Sequence, residues 1–434
     1  MHTLSQLHSG ELKGTKALRL SCGLTVFPSG IFELADTLEL LDLTGNELSS
    51  LPQGMDRFKK LKIILLSNNA FVEFPNGLKD CPSLEMIGLK ANRIESIEEG
   101  AFPPLLRWLI LTDNRIASLP LSIGKCRRLQ KLMLAGNKLK NIPEEMANCQ
   151  NLELLRLSAN EIDQLPDWLF SLKRLSWLAY SGNPCAVIHA KAEEKGITIE
   201  WSDLVLLDLL GEGASGHISK AIWKGEKEVA VKLYKGAVTS DGLPEDEMSA
   251  CLSADTHAHL VPVLGKVKGH PAGKQALLLE FIPTGFKNLG GPPSFETCTR
   301  DTFKEGTFFS PARLVKIAKG MASVSTHLHS KGIMHGDLYA HNILVDENDH
   351  VLFGDFGAAT RYHRTDAKRA FLLERVEVRA FGSLLDDLLP HAVSTSNADL
   401  ELVTEIKKIR DACWDDLISQ RPDFEEIGRI IERW

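Results

Sequence analysis

The sequence predicts two domains of different class, an α/β solenoid of repeats followed by an α+β domain that carries chemistry. Two observations predict this. Asparagines recur at positions 46, 69, 92, 114, 137, 160 and 183, in steps of 22 or 23 residues. From Trp201 that period is lost. A glycine-rich segment, an apolar strand ending in Lys232 and two Asp-containing motifs then follow in order.

Around each asparagine runs one pattern, L-x-x-L-x-L-x-x-N-x-L. Leu84, Ile87, Leu89, Asn92 and Ile94 give one copy, and Leu129, Leu132, Leu134, Asn137 and Leu139 another. The last copy, Leu175, Leu178, Tyr180 and Asn183, stops at Pro184, and a degenerate first copy surrounds Leu18, Leu20 and Gly23. This is a leucine-rich repeat array of about eight units over residues 1–184. Each repeat lays down a short strand whose leucines enter a core that only its neighbours can close. The asparagine both accepts from and donates to backbone groups in the turn after the strand. Leu51-Pro52, Leu119-Pro120, Ile142-Pro143 and Leu165-Pro166 stiffen the return segments.

The strand positions that point away from the core are Leu40, Ile63, Leu65, Met86, Trp108, Ile110, Met133, Leu154 and Trp177. Such an apolar stripe marks an interaction surface. The expectation is a concave groove around Trp108 and Trp177 that takes a protein substrate or regulator. The other reading is that the chain's own second domain covers the stripe, or that the stripe is partly core.

Composition excludes several classes. The net charge is −7, and residues 1–200 carry 23 basic and 23 acidic groups, so the acidic excess lies in the second half and nothing suggests nucleic acid. No apolar run approaches the roughly 18 residues of a membrane span, and no signal peptide is evident. The 8 cysteines contain no Cys-x-x-Cys pair; Cys81, Cys126 and Cys149 each precede a repeat leucine by three residues and suit small buried slots. The expected setting is reduced and cytoplasmic. Oligomeric state is not readable.

The second half opens with a cap and linker over 185–203. Gly211-Glu212-Gly213-Ala214-Ser215-Gly216 lets backbone N–H groups approach phosphates. Val229-Ala230-Val231-Lys232 reads as a buried strand delivering a cation. An acid must hold that lysine, and Glu247, in the helical segment Pro244–Leu252, is the choice over Glu245. Leu277 to Pro283 reads as a strand entering a hinge, Thr284–Ser310 as a surface insertion, and Pro311–His329 as a helix. Asp337, Asn342 and Asp355 complete a set in which two groups hold metal on a nucleotide's phosphates and the third receives a hydroxyl proton.

Residues 204–434 resemble a protein kinase domain. The glycine loop, V-A-V-K, His335-x-Asp337-Leu338 with Asn342, Asp355-Phe356-Gly357, and Cys413-Trp414 with Arg421-Pro422-Asp423-Phe424 occur in that family's order. The ending is similar to the tyrosine-kinase-like branch, which includes many serine/threonine kinases. The whole chain thus resembles a leucine-rich-repeat protein kinase with a bilobal second domain. The resemblance implies ATP and Mg²⁺ as cofactors, Asp337 as catalytic base, and Asn342 and Asp355 as metal ligands. It implies Lys232 and Glu247 as the phosphate-positioning ion pair. It places Leu210, Gly211, Gly213, Gly216, Ile218, Ala230, Lys232, Leu279 (the gatekeeper), Glu280, Ile282 and Leu344 around the nucleotide.

The chain departs from that pattern at several points. Gly336 replaces the Arg that reads an activation-loop phosphate, so that switch is absent. Tyr339 stands where serine/threonine kinases carry a Lys, with His341 as a partial substitute, so this loop does not decide between serine/threonine and tyrosine acceptors. Glu377 stands where an Asp is expected, and the segment between Asp355 and Glu377 is short. No Ala-Pro-Glu is present, which leaves Glu374 or Glu377 to pair with Arg421. Thr360, Tyr362 and Thr365, among Arg361, Arg364, Lys368 and Arg369, are candidate phosphoacceptors; the other reading is a solvated basic loop. The leading expectation is an ATP-dependent protein kinase, serine/threonine-directed, whose repeats recruit a substrate or regulator. A small-molecule phosphotransferase of the aminoglycoside- or choline-kinase kind and a nucleotide-binding pseudokinase scaffold are the alternatives.

Overall fold

In the computed structural model every repeat becomes one three-residue strand followed by an irregular return. The structure describes residues 1–186, 197–213, 215–236 and 238–434; residues 187–196 of the expected linker, and Ala214 of the glycine-rich segment, lie outside the described residues. The chain forms two compact units. The first is Met1–Leu172 with Asn183–Cys185, and the second is Lys173–Gly182 with Ala186–Trp434.

The first unit opens with helix α1 (Leu4–His8), closed by a Thr3–Gln6 capping box. Seven strands follow: β1 (Ala17–Arg19), β2 (Leu40–Asp42), β3 (Ile63–Leu65), β4 (Met86–Gly88), β5 (Trp108–Ile110), β6 (Lys131–Met133) and β7 (Leu154–Arg156). They pair in chain order, all parallel and in matching register. The central residue of each strand from β2 to β7 (Leu41, Ile64, Ile87, Leu109, Leu132, Leu155) is fully buried. Most return segments hold a short 3-10 turn, and those that follow Pro28, Pro75, Pro120, Pro143 and Pro166 start directly after the proline. Cys81, Cys126 and Cys149 end three such turns, buried, and burial pushes their thiols up to about 12, about 12 and about 11.

The asparagine ladder works as the residue type requires. Asn137 Oδ1 accepts from Ile116 N at 3.0 Å, and its Nδ2 donates to Leu111 O at 2.9 Å and Leu134 O at 3.0 Å. Asn46, Asn92, Asn114 and Asn160 repeat the arrangement. Asn137→Ala would leave the buried Ile116 N–H without its acceptor and take one of two donors from Leu111 O and Leu134 O, which keep Asn114 and Asn160. It is expected to destabilise by about 2 kcal/mol, read as a lower urea midpoint at unchanged slope.

The second unit contains the eighth repeat strand, β8 (Trp177–Ala179). A six-stranded sheet follows, made of β9 (Ile197–Glu200), β10 (Leu204–Glu212), β11 (Gly216–Trp223), β12 (Lys227–Tyr234), β13 (Val263–Lys268) and β14 (Ala276–Glu280). Its order is β10-β11-β12-β14-β13-β9, antiparallel except for the β13–β9 pair. Ile199 of β9 joins Leu204, Ala221, Val229, Val231, Val267, Ala276 and Leu278 in that lobe's core. Helix α2 (Pro244–Ala254) belongs to the same lobe. The other lobe is helical, built from α3 (Pro311–Ser330), α4 (Ala367–Leu388), α5 (Asn397–Cys413) and α6 (Phe424–Ile431). Short strand pairs carry the chemistry on this lobe: β15 (Lys287–Asn288), β17 (Ile343–Val345) and β18 (Val351–Phe353) in one sheet, β16 (Ile333–Met334) and β19 (Thr360–Arg361) in another. A sheet lobe and a helical lobe after a repeat solenoid is the architecture expected. No helix among the described residues is long and apolar enough to cross a membrane.

Candidate active site

Strand β12 carries Lys232 into the sheet lobe's interior, and α2 brings an acid to it. Lys232 Nζ lies 2.5 Å from Glu247 Oε1 and 3.1 Å from Asp355 Oδ1. Glu245 instead accepts from Gln275 Nε2 at 2.8 Å. Burial opposes the charge on Lys232, but Asp355 and Glu247 outweigh it and hold the ammonium well above its ordinary range. Lys232 in turn pulls the Asp355 carboxyl below the usual carboxylate range. Burial raises Glu247, with Lys232 acting in the opposite sense.

Register fixes the neighbours of this trio. Gly211 faces Ile218 across β10–β11, Ile218 faces Lys232 across β11–β12, and Ala230 faces Leu279 across β12–β14. Glu280 N donates to Pro262 O at 2.9 Å, and Ile282 follows, partly exposed, in the hinge. Leu344 lies on β17 opposite Leu352 and is partly exposed. Gly213 N donates to Gly216 O at 2.9 Å and closes the glycine-rich turn. Lys235 also holds that turn, at 2.5 Å from Glu212 Oε1 and 3.0 Å from Gly213 O. No motif pointed to Lys235.

The loop from His335 to Asn342 is braced at almost every residue. His335 is fully buried; its Nε2 donates to Gly354 O at 3.0 Å, its ring stacks on Phe353, and burial keeps the imidazole neutral to lower pH than usual. Asn342 Nδ2 donates to both Asp337 O and Asp337 Oδ2 at 2.9 Å, which fixes the carboxylate and leaves the amide oxygen for another partner. Asp337 is partly exposed. Asp355 caps a left-handed turn at φ 58°, with half of its side chain exposed.

Residues 204–379 match the family described as protein tyrosine and serine/threonine kinase. The second unit carries a protein kinase domain. Residues 127–184 match the leucine rich repeat family. The chain is 29% identical over 208 residues to the tyrosine-protein kinase receptor TYRO3 of Gallus gallus, covering 46% of this chain and 23% of that protein. It is 34% identical over 161 residues to a probable serine/threonine-protein kinase of Dictyostelium discoideum, covering 37% and 9%. The dual specificity protein kinase shkB of the same organism is 27% identical over 266 residues, covering 51% and 39%. The chain thus spans well under half the length of these relatives.

The kinase family implies ATP and a divalent metal. Asn342 and Asp355 fit such an ion. Both offer hard oxygen donors, and the acidity of Asp355 keeps it ionised. No group of three or more His, Cys, Asp or Glu side chains among the described residues could hold a metal, so the two oxygens would share the ion with phosphates and water.

The kinase domain also differs from several expectations. Thr284–Ser310 is more than a surface insertion. Asp301, nearly buried, accepts from Ala340 N and lies 2.7 Å from His341 Nδ1, and through that bond the imidazole's pKa is raised despite its burial. Neither Glu374 nor Glu377 pairs with Arg421. That guanidinium donates to Arg375 O, Asp415 O and Lys173 O, and burial lowers its pKa to about 10. Glu374 accepts from Tyr362 OH at 2.8 Å, while Glu377 accepts from Gly336 N at 2.8 Å and faces His329 Nε2 at 2.7 Å. Thr360 and Tyr362 are buried, so of the three candidate phosphoacceptors only Thr365 is exposed. Residues 359–366 are the whole stretch between the Asp355 turn and α4.

The expected apolar groove fails at its C-terminal end. Leu40, Ile63, Leu65, Met86, Trp108, Ile110 and Met133 are partly exposed, and Lys131 Nζ sits 4.1 Å over the Trp108 ring. Leu154 is buried, and Trp177 is 1% exposed because its indole is taken up inside the second unit. Its signal in the sequence, an aromatic at an outward strand position, fits either role.

Proposed function

We propose that this chain is an ATP- and Mg²⁺-dependent protein kinase that transfers the γ-phosphoryl group to a serine or threonine hydroxyl. The observation that carries this reading is the Lys232–Glu247–Asp355 cluster beside an Asp337 carboxylate fixed by Asn342. In it Lys232 neutralises phosphate charge, Asn342 and Asp355 hold the metal, and Asp337 takes the acceptor's proton. Asn342 aims the carboxylate without protonating it, which is what a proton acceptor needs. The repeats recruit a substrate or regulator through the partly exposed stripe around Trp108. The reading includes a cytoplasmic setting, where buried thiols such as Cys81 and Cys149 stay reduced.

A second reading, a small-molecule acceptor, draws support from one observation: residues 359–366 leave little chain to cradle a peptide. One experiment separates the two. The full chain is incubated with ATP, Mg²⁺ and generic protein substrates, and phosphosites are mapped by mass spectrometry. Phosphoprotein, with Thr365 as the expected internal site, supports the protein kinase. ATP·Mg²⁺ at 100 times Kd should also stabilise the fold by about 2.7 kcal/mol. Stabilisation without any phosphoprotein would remove the protein kinase reading, and ATP turnover with a pool of small hydroxyl compounds would then separate a small-acceptor enzyme from a nucleotide-binding scaffold; absence of both would overturn all nucleotide readings.

A further inference from the structure

Strand β8 has the sequence of a repeat strand, yet its residues close on the kinase domain's catalytic loop. The Trp177 indole lies flat on the Tyr339 ring, with centroids 4.3 Å apart and planes within 8°. Its Nε1 donates to Leu338 O at 3.1 Å. Leu338 and Tyr339 are the two residues after Asp337. On the other side of Asp337, a Cβ on Gly336 would lie 2.6 Å from Leu178 O. Tyr180 N donates to Thr360 Oγ1 at 3.1 Å and so reaches the segment after Asp355. One strand thus touches the chain on both sides of the carboxylate that Asn342 fixes.

A backbone carbonyl and a ring held from above leave the peptide units next to Asp337 one arrangement. Without them the loop keeps its Asn342 and Glu377 bonds but loses its cover, and local opening becomes easier. The chemistry is sensitive to such loosening, because displacement of a reacting group by about 1 Å can lower the rate by about 100-fold. Gly336 fits the same geometry, since its φ of +73° disfavours a side chain and a Cβ there would crowd both Leu178 O of the strand and Ala358 O. The residue that departs from the family pattern is the one that admits β8.

We propose that Trp177 is a positioning residue for phosphoryl transfer, acting through Leu338 and Tyr339 on Asp337; the catalytic part of this claim rests on the protein kinase reading above. The test uses the full chain with Trp177→Ala and Trp177→Phe. Trp177→Ala should lower kcat at least ~10-fold and leave the KM for ATP unchanged, since the nucleotide cluster is built from other elements. Amide exchange over residues 337–342 should rise at least ~10-fold while α5 and α6 stay protected. Trp177→Phe restores a ring but no N–H donor, so it should fall between. It also decides the matter should the alanine variant not fold. Unchanged exchange over 337–342, or a kcat equal to that of the unaltered chain, would overturn the proposal. If the unaltered chain transfers no phosphate, the protein kinase reading fails while the exchange measurement still decides whether β8 braces the loop.

Discussion

Asp337→Asn is expected to lower the rate of phosphoryl transfer by about 100- to 10,000-fold, the range that loss of a positioned proton acceptor gives. The substitution preserves shape. Asn342 Nδ2 donates to Asp337 O as well as to Oδ2, and an asparagine at 337 still offers both oxygens. The fold should therefore hold, with no change in melting temperature beyond error. Nucleotide affinity should also hold, because Lys232, Glu247 and Asp355 form their cluster without Asp337. A loss confined to kcat is the signature of a group that acts only in the transition state. The measurement is transfer of labelled phosphate at saturating ATP, with ATP·Mg²⁺ thermal shift as the binding control. A variant that retains more than about a tenth of the activity would remove Asp337 from the role of base. Loss of ATP binding together with activity would instead mean that the carboxylate is structural.

The parts of the site legible in the sequence are those whose chemistry fixes residue type and spacing together. Lys232 must end a buried strand, Asn342 must lie one short turn beyond Asp337, and the repeat asparagines must recur once per strand. The periodic pattern gave the solenoid for the same reason: each Asn bonds the repeat before it, so a shift of one residue would break the ladder. What stayed hidden depends on long-range partners. Asp301 sits in a Gly- and Pro-rich stretch with no local signal, yet it ties down Ala340 and His341 about 40 residues on. The kinase resemblance implies a glutamate partner for Arg421, and three backbone carbonyls satisfy the guanidinium instead. Trp177 shows a different limit. Periodicity tells which way a side chain leaves its strand, but not what meets it there.

Gly336 is where these threads join, and its replacement by the residue usual in kinases is the second large effect. Gly336→Arg is expected to destabilise the second unit by roughly 3–8 kcal/mol. Gly336 has φ +73°, a conformation that costs an L-residue about 1–2 kcal/mol. A Cβ there would lie 2.6 Å from Leu178 O and 2.8 Å from Ala358 O, both backbone atoms that cannot rotate away, and such overpacking adds about 1–3 kcal/mol. Disturbing the bond from Gly336 N to the buried Glu377 carboxylate adds about 1–3 kcal/mol more. For a unit of this size the melting temperature should fall by roughly 6–30 °C, read by calorimetry on the full chain. Gly336→Ala should show most of the same loss, because the first carbon already meets both carbonyls. If Gly336→Ala melts with the unaltered chain and only the arginine variant suffers, side-chain length rather than the approach of β8 is responsible. If both melt with the unaltered chain, the close contact between β8 and the catalytic loop is not what excludes a side chain at this position.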